Sequence, residues 1–452
     1  MSSCKKMARA VEPGNGRRNI FVQVVVFTGI VIALDLVYSS HQSRLISGEK
    51  KPKYDQRVRL NDATSFRPLG CSEVHHVVFL KTHKTGSTTV SSVFQRFGTK
   101  HNLTFLVPDY KHILSETDTF NTSKIGPPTS KSWNFSIGYQ MFTNHIRYNR
   151  SEMDKVLHNA TYVTILRNPV AQFESGFYYF KMDRFLPKSE NPIELFMSNP
   201  MKYYNYVQQK YPGMENRIHS MQLYDLGMDP VHMYRMDVVD HYIKQLDRDF
   251  NLVMINEYFD ESLVLLRKLL CWRMTDITYI SKGIRSATFK RNTTDELRSK
   301  ILQWNTGDAK LYSYFNKTFW EKVRNYDGDF EADMKLFKKH QEFVGKCIAR
   351  VNESRINDNR IVAFIMVKNA PKWCNDYDMS DIDSTEKTCV RMHTMGIPQY
   401  HTGFHERLRK HVAQKKRLIS SRLPLKHPDS KMKTKDGNIK TNSSKFSKQK
   451  ST

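Results

Sequence analysis

Residues 77–98 read VVFLKTHKTGSTTVSSVFQRFG, and this stretch decides the fold class of the chain. Its beginning belongs to HVVFLK at 76–81, a short apolar run with polar neighbours, which is typical of a strand buried in a parallel sheet. A helix is predicted directly afterwards, because apolar residues recur there at helical spacing, and Gly98 is predicted to end it. The residues of its apolar face are Val90, Val93, Phe94 and Phe97.

Two later stretches repeat this pattern. ATYVTILR at 160–167 is followed by Asn-Pro and a helical pattern, and FNLVMINEYF at 250–259 is followed by the helical SLVLLRKLLCW. Strands that alternate with helices predict an α/β domain with a central, mainly parallel sheet flanked by helices. Such sheets bind ligands at the carboxyl ends of their strands. The turn at 81–89 and the corner at 167–169 are therefore expected at the same edge.

The turn at 81–89 has the chemistry of a phosphate site. A glycine between a strand and a helix lets a ligand approach backbone N–H groups at the positive end of the helix. Lys81 and Lys84 add charge, but a Walker loop is excluded, because lysine precedes Gly86 instead of following it. An ordinary capped helix N-terminus is the alternative interpretation of the turn. Hydroxyl donors follow the glycine at Ser87, Thr88 and Thr89.

The corner at 167–169 supplies a second anion site. Arg167 leaves its predicted strand, and Ser175 lies eight residues later, about two turns into the next helix. An arginine fork and a hydroxyl can hold a separate phosphate. Two anion sites at neighbouring strand ends suit a nucleotide that carries phosphates at both ends.

Both motifs resemble those of a known enzyme family. HKTGSTT and LRNPVAQFESGFYYF are similar to the 5′-phosphosulfate loop and the 3′-phosphate segment of membrane-bound Golgi sulfotransferases, which use 3′-phosphoadenosine 5′-phosphosulfate (PAPS). More narrowly, the chain resembles the galactose 3-O-sulfotransferase family, whose members include a galactosylceramide sulfotransferase. Further stretches that carry the resemblance are TNHIRYN, LYDLGMD, INEYFDESLVLLRKLLCW and WNTGDAKLYSYFNKTFW. Together they cover roughly residues 75 to 320.

The resemblance implies a P-loop-like sulfotransferase fold and sulfate transfer from PAPS to the 3-hydroxyl of a terminal galactose on a glycolipid or a glycoprotein glycan. It places the 3′-phosphate on Arg167 and Ser175. Lys84 would also neutralise the charge that develops on the bridging oxygen, so no metal is required. The residues implied for the 5′-phosphosulfate are Lys84, Thr85, Gly86, Ser87, Thr88 and Thr89.

The acceptor hydroxyl needs a base, and His145 is the preferred candidate because related enzymes carry a histidine between the two phosphate segments. His83 and Glu174 are the alternatives. Lys81 and Arg147 are interpreted either as extra charge near the donor or as solvated side chains.

The start of the chain is predicted to be a membrane anchor. Residues 19–38 are long and apolar enough to span a bilayer, and basic residues dominate positions 1–18. This pattern predicts a type II Golgi membrane protein with a cytosolic tail at 1–18, a stem at 39–72 and a lumenal domain at 73–400. Five cysteines follow the anchor, sufficient for two disulfides whose pairing the sequence leaves open.

Close to half of the excess positive charge lies in the last 48 residues of the sequence. The formal net charge is +26, and residues 405–452 contain fifteen Lys or Arg against three Asp or Glu, a difference of +12. Few apolar residues accompany them, so 401–452 is predicted to be a solvated, disordered tail. A polyanion- or lipid-binding membrane protein that acts through this tail is one alternative function.

A metal-dependent lumenal glycosyltransferase is the other alternative function. Its DxD signature has short matches at Asp247 and Asp249 and at Asp381 and Asp383. No nucleic-acid partner is expected, and self-association stays open.

Overall fold

The structure is a computed structural model that describes residues 70–129, 133, 136, 138–284, 293–356 and 359–403. The described elements up to Thr402 belong to one compact unit. Within these ranges no helix is both long and apolar enough to cross a bilayer. The predicted anchor at 19–38 and nearly all of the predicted basic tail lie outside the described residues, so both stay predictions.

The central sheet has four parallel strands in the order β2-β1-β3-β4. This arrangement confirms the predicted α/β fold with a parallel sheet, and all three predicted strands are present. β1, β3 and β4 are buried along almost their whole length, which explains their continuous apolar sequences. The strands are β1 Val77–Leu80, β2 Met141–Phe142, β3 Thr161–Leu166 and β4 Leu252–Ile255.

A separate antiparallel hairpin follows late in the chain. It pairs β5 (Ile348–Ile356) with β6 (Asn359–Met366). The sequence analysis did not predict this hairpin or the short edge strand β2.

Helices surround the central sheet and fill the connections between its strands. Those of the first half are α1 Ser87–Lys100, α2 Arg150–Met153, α3 Pro169–Tyr179, α4 Pro192–Ser198, α5 Pro200–Lys210, α6 Met221–Asp225 and α7 Met236–Asp249. Those of the second half are α8 Phe259–Leu270, α9 Asp295–Trp304, α10 Thr306–Arg324, α11 Phe330–Gly345, α12 Asn375–Asp378 and α13 Asp381–Thr394.

Asn-Pro pairs start three of these helices. Before α3, the side chain of Asn168 accepts hydrogen bonds from the first-turn N–H groups of Val170 and Ala171. Proline fits the first helical position, because its fixed φ is helical and its missing N–H has no partner there anyway. Asn191 and Asn199 begin α4 and α5 in the same way. The Asn-Pro corner therefore fixes where α3 leaves the sheet edge.

The predicted stop at Gly98 is wrong. Helix α1 continues to Lys100, and Gly98 is buried within it. A methyl group at Gly98 would overlap the ring of Phe105, so the glycine permits close packing instead of ending the helix. The predicted apolar face is confirmed, because Val90, Val93 and Phe94 are fully buried in the main core.

Two disulfides tie together distant parts of the described chain. Cys71 pairs with Cys271 at the end of α8, and Cys347 pairs with Cys374. The first fixes the segment that precedes β1, and the second joins the start of β5 to the start of α12.

Candidate active site

The carboxyl ends of β1, β3 and β4 meet at one edge, as predicted. Arg167, after β3, donates a hydrogen bond from Nη1 to the carbonyl oxygen of Lys84 over 3.1 Å. Asn256, after β4, donates from Nδ2 to the carbonyl oxygen of Thr85 over 3.0 Å. Thr82 donates from its hydroxyl to the carbonyl oxygen of Ile165 over 2.6 Å. Neighbouring strand ends therefore hold the β1–α1 turn, here named the strand-end loop and defined as residues 81–89.

The strand-end loop turns sharply at two residues with positive φ. Lys84 has φ 62° and Gly86 has φ 81°. A side chain at Gly86 would overlap Nδ2 of Asn256, so only glycine keeps both the conformation and the contact. The carbonyl oxygen of Thr82 accepts hydrogen bonds from the hydroxyls of Ser87, at 2.5 Å, and Thr85, at 3.2 Å. The loop is therefore stabilised by its own hydrogen bonds as well as by those from residues that follow β3 and β4.

The amino end of α1 is electrostatically suited to an anion. Its cap residue, Gly86, has no side chain to bond the first-turn N–H groups, and that turn contains no acidic residue. The N–H groups and the helix dipole therefore face the loop without an internal anion to balance them. Lys84 adds an ammonium group, which lies 3.8 Å from the ring centroid of Tyr179. These features fit a phosphate or sulfate group.

The hydroxyls of the strand-end loop have unequal surroundings. Ser87 is buried and bonds the loop itself, whereas the Thr89 hydroxyl accepts a hydrogen bond from the backbone N–H of Lys282 at 2.9 Å. Thr88 is half-buried, and so is Ser175 on α3. The Ser87 hydroxyl therefore donates to the loop itself, whereas the Thr89 hydroxyl accepts a hydrogen bond and keeps its own proton as a donor.

Two histidines stack beside the strand-end loop. The rings of His83 and His145 lie 4.0 Å apart at an angle of 15°, and both residues are buried. Nδ1 of His145 lies 2.9 Å from the carbonyl oxygen of Lys81, an acceptor, so this nitrogen carries the proton. Burial, followed by the charges of His83 and Lys81, lowers the pKa of His145 well below its ordinary value. His145 is therefore neutral, with Nε2 as its basic nitrogen.

His83 is oriented by a carboxylate. Asp225 accepts a hydrogen bond from the backbone N–H of His83 at 2.6 Å, and its other oxygen lies 2.9 Å from Nδ1 of the ring. Arg217 lies 3.2 Å from the same nitrogen and forms an ion pair with Glu116. A carboxylate that orients an imidazole is an arrangement of general-base sites, so the structure strengthens His83 as the alternative base.

Asp225 is the last residue of α6, and the carboxylate of Asp308 fixes the position of that helix. Asp308, on α10, accepts hydrogen bonds from the N–H groups of Gln222 and Leu223 at 3.0 and 2.9 Å. It thereby satisfies the amino end of α6, which ends at Asp225. Burial raises the pKa of Asp308 to about 7. Sequence reasoning missed Asp225, although the LYDLGMD stretch contains it.

Other charged candidates make contacts within the fold. Lys81 is 1% exposed and forms a buried ion pair with Asp381 of α13, so it is neither solvated nor directed at a ligand. Arg147 donates to backbone carbonyls, including that of Tyr224 at 3.1 Å and that of Met228 at 2.8 Å. The buried ion pair contradicts the interpretation of Lys81 as a solvated side chain. Its interpretation as charge near the donor, and both interpretations of Arg147, stay predictions. Glu174 accepts a hydrogen bond from the hydroxyl of Thr293, outside the histidine pair.

Neither DxD match has the surroundings of a metal site. Asp247 and Asp249 end α7 and accept hydrogen bonds from the hydroxyls of Tyr314 and Tyr148. Asp381 pairs with Lys81, while Asp383 bonds the hydroxyl of Ser380 at the start of α13. Among the described residues, the groups of metal-ligating side chains that lie close enough to share an ion include neither match.

A family model described as galactose-3-O-sulfotransferase matches residues 8–407. The chain belongs to the galactose-3-O-sulfotransferase family. A bovine (Bos taurus) galactosylceramide sulfotransferase is 34% identical over 261 residues, which cover 57% of this chain and 60% of the relative. A mouse (Mus musculus) galactose-3-O-sulfotransferase 3 is 37% identical over 257 residues, which cover 55% and 57%. The chain thus spans about 60% of the length of these curated relatives.

The family resemblance drawn from the sequence motifs is confirmed by these matches. Among solved structures, a sulfotransferase from Alicyclobacillus acidocaldarius superposes with a TM-score of 0.28 at 12% identity, covering 54% of this chain and 97% of that one. A likeness this weak adds nothing to the description of the fold.

Proposed function

We propose that this member of the galactose-3-O-sulfotransferase family transfers sulfate from PAPS to the 3-hydroxyl of a terminal galactose on a glycolipid or glycan. One observation carries the proposal. The hydrogen bond from Arg167 to the carbonyl oxygen of Lys84 joins, at the sheet edge, the two segments that we propose bind the two phosphates. A donor with a phosphate at each end needs two such segments within the length of one nucleotide.

The residues at this edge fit the donor. The uncapped first turn of α1 and the ammonium of Lys84 would hold its 5′-phosphosulfate, with Thr85, Gly86, Ser87, Thr88 and Thr89 forming the loop around it. Arg167 and Ser175 would hold its 3′-phosphate. When bound, the donor supplies the sulfuryl group. Lys84 then neutralises the charge left on the bridging oxygen, a role that needs no metal ion.

The histidine pair supplies the base. The Nδ1 proton of His145 is fixed on the carbonyl oxygen of Lys81, so Nε2 accepts the proton of the acceptor hydroxyl. A neutral imidazole is required for this step, and burial keeps His145 neutral, but the same lowered pKa makes Nε2 a weaker base. His83 is the second candidate, because Asp225 orients its ring.

The acceptor class follows from the names of the relatives. One relative is named for galactosylceramide and another for galactose, so a terminal galactose is the common element. A panel that compares galactosylceramide with N-acetyllactosamine-type and core O-glycan galactosides decides between glycolipid and glycoprotein acceptors. The proposed setting is the Golgi lumen, with the chain anchored as a type II protein through residues 19–38.

A transfer assay separates this proposal from its rivals. The full-length protein is incubated with radiolabelled PAPS and with galactosylceramide or lactoside acceptors, with and without a chelator. Chelator-resistant sulfate transfer supports the proposal. Manganese-dependent sugar transfer without sulfate transfer would indicate a glycosyltransferase. Absence of both, with polyanion binding that disappears when 405–452 is deleted, would indicate a nonenzymatic binding protein.

A further inference from the structure

A cluster of side chains that can ligate a metal ion lies at the end of the sheet opposite the strand-end loop. Glu73, His75 and His101 place one ligating atom each within 4.8 Å of one another. Glu73 and His75 immediately precede β1, and His101 follows the last turn of α1. This is the amino edge of β1, whereas the strand-end loop lies at its carboxyl edge. The cluster, here named the amino-edge cluster, is therefore separate from the proposed reaction site.

The distances within the amino-edge cluster suit a metal ion. Oε2 of Glu73 lies 3.1 Å from Nε2 of His75 and 3.6 Å from Nδ1 of His101. Ligands about 2.0–2.1 Å from a tetrahedral zinc ion are roughly 3.3 Å apart, close to both values. A single carboxylate oxygen thus faces two imidazole nitrogens. Only one of the two lies within hydrogen-bonding distance, whereas a metal ion would use both.

The cluster is held in place before any ion binds. Val74 lies between Glu73 and His75. Its N–H donates to the carbonyl oxygen of Leu270, and its carbonyl oxygen accepts a hydrogen bond from the indole of Trp272, both at 3.0 Å. The ring of His101 stacks on Phe97 at a centroid distance of 4.3 Å. The Cys71–Cys271 disulfide fixes the same strip of chain. A cation would therefore enter a formed site at a small cost in ordering.

The local charge also favours a cation. The carboxylate of Glu73 is largely buried, with 8% of its side chain exposed, while His75 is 36% and His101 21% exposed. The neighbouring Lys100 is neutralised by Asp276, whose carboxylate lies 2.7 Å from its ammonium. One carboxylate and two imidazoles form a ligand set that zinc uses with water in the fourth position.

We propose that Glu73, His75 and His101 bind a zinc ion that joins the segment before β1 to the end of α1. The ion would lie away from the proposed sulfate transfer, because the cluster lies at the opposite edge of β1 from the strand-end loop. Binding to the folded state alone raises the stability of that state. The proposed sulfate transfer does not depend on this ion.

Zinc titration of the full-length protein tests the proposal. The protein is freed of metal with a chelator and exchanged into chelator-free buffer, and zinc affinity is measured by competition with a fluorescent indicator. The variants Glu73→Gln, His75→Gln and His101→Gln are compared with His232→Gln, a matched control on an exposed histidine. We expect one tight zinc ion per wild-type chain, at least tenfold weaker binding in each cluster variant and unchanged binding in the control.

Two further readouts keep the test independent of folding failure. Thermal unfolding without metal shows whether each variant folds, and zinc is expected to raise the melting temperature of the wild type and of His232→Gln but not of the cluster variants. Cobalt is expected to give the visible absorption of a low-symmetry site only when the cluster is intact. Equal zinc affinity in wild type and in folded cluster variants, or no tight zinc in the wild type, would overturn the proposal.

Discussion

Arg167 donates a hydrogen bond to the carbonyl oxygen of Lys84 over 3.1 Å, which links the end of β3 to the loop after β1. The two residues are 83 positions apart in sequence, yet each belongs to a different predicted anion site. The contact makes the two predicted sites neighbours. It shows that Arg167 holds the loop, in addition to the 3′-phosphate role proposed for it.

Arg167→Ala is predicted to weaken binding of 3′-phosphoadenosine 5′-phosphate about 10- to 100-fold, because a charged hydrogen-bonding group is lost. Calorimetry measures this change. Arg167→Lys is the matched variant, since it keeps the charge and loses the fork. Adenosine 5′-phosphate, which lacks the 3′-phosphate, is the control ligand. An equal loss for both ligands would show that Arg167 acts only by holding the strand-end loop.

His145→Ala is predicted to lower kcat by about 10²-fold or more while leaving donor binding within twofold, because a positioned base contributes that much to the rate. Single-turnover kinetics with saturating donor measure the effect. His83→Asn and Asp225→Asn are measured in parallel. If His145→Ala keeps its rate while the other two variants lose theirs, the base is His83.

The buried pair of Lys81 and Asp381 joins β1 to α13 across 300 residues of sequence. Lys81→Met is predicted to cost about 3–5 kcal/mol of unfolding free energy, because it leaves a carboxylate buried without its counter-ion. Adding Asp381→Asn should recover a large part of that loss. Urea unfolding measures both variants.

The control for this pair is Arg235→Ala, which removes an exposed ion pair with Asp237 and should change stability by less than about 1 kcal/mol. Equal effects of Lys81→Met and Arg235→Ala would contradict the assignment of a buried pair.

Buried histidines are predicted to make the fold sensitive to acid. Burial lowers the pKa of His219 to about 4, and that of His145 is lowered too. Between pH 6.5 and 4, His219 is protonated in the unfolded chain but stays neutral in the folded chain. The contribution of His219 to the free energy of unfolding is therefore fully present above pH 6.5 and decreases as the pH falls below it. The loss attributed to His219 is about 3 kcal/mol.

Urea midpoints measured from pH 7.5 to 4.5 check this pH dependence. His219→Gln should show a shallower decline than the wild type. Identical slopes in the two proteins would show that His219 does not contribute to acid sensitivity.

The sequence predicted the parts of the fold that depend on local pattern. Continuous apolar runs such as VVFL and LVMI identify buried strands without tertiary information. The edge strand β2 was not predicted, because it contains only Met141 and Phe142, and two residues are too few to show a periodic pattern. Gly98 was misinterpreted because close packing against Phe105, not helix termination, explains a glycine at that position.

The site was predictable where one segment carries the chemistry. Lys84 and Gly86 lie in a single short motif, so the roles proposed for them could be inferred from that motif alone. Asp225 was missed because it is 142 residues from His83, and a lone aspartate carries no signal of its partner. Asp381 was assigned to a DxD match for the same reason.

The central claim is tested most directly by the Lys84→Ala variant in the transfer assay. Wild-type protein should transfer radiolabelled sulfate from PAPS to O3 of a terminal galactose in the presence of chelator. Lys84→Ala should reduce that rate by at least about 10²-fold with an unchanged unfolding midpoint, because it removes the ammonium that we propose stabilises the leaving bridging oxygen. Sulfate transfer by Lys84→Ala at a rate near that of the wild type would contradict the account.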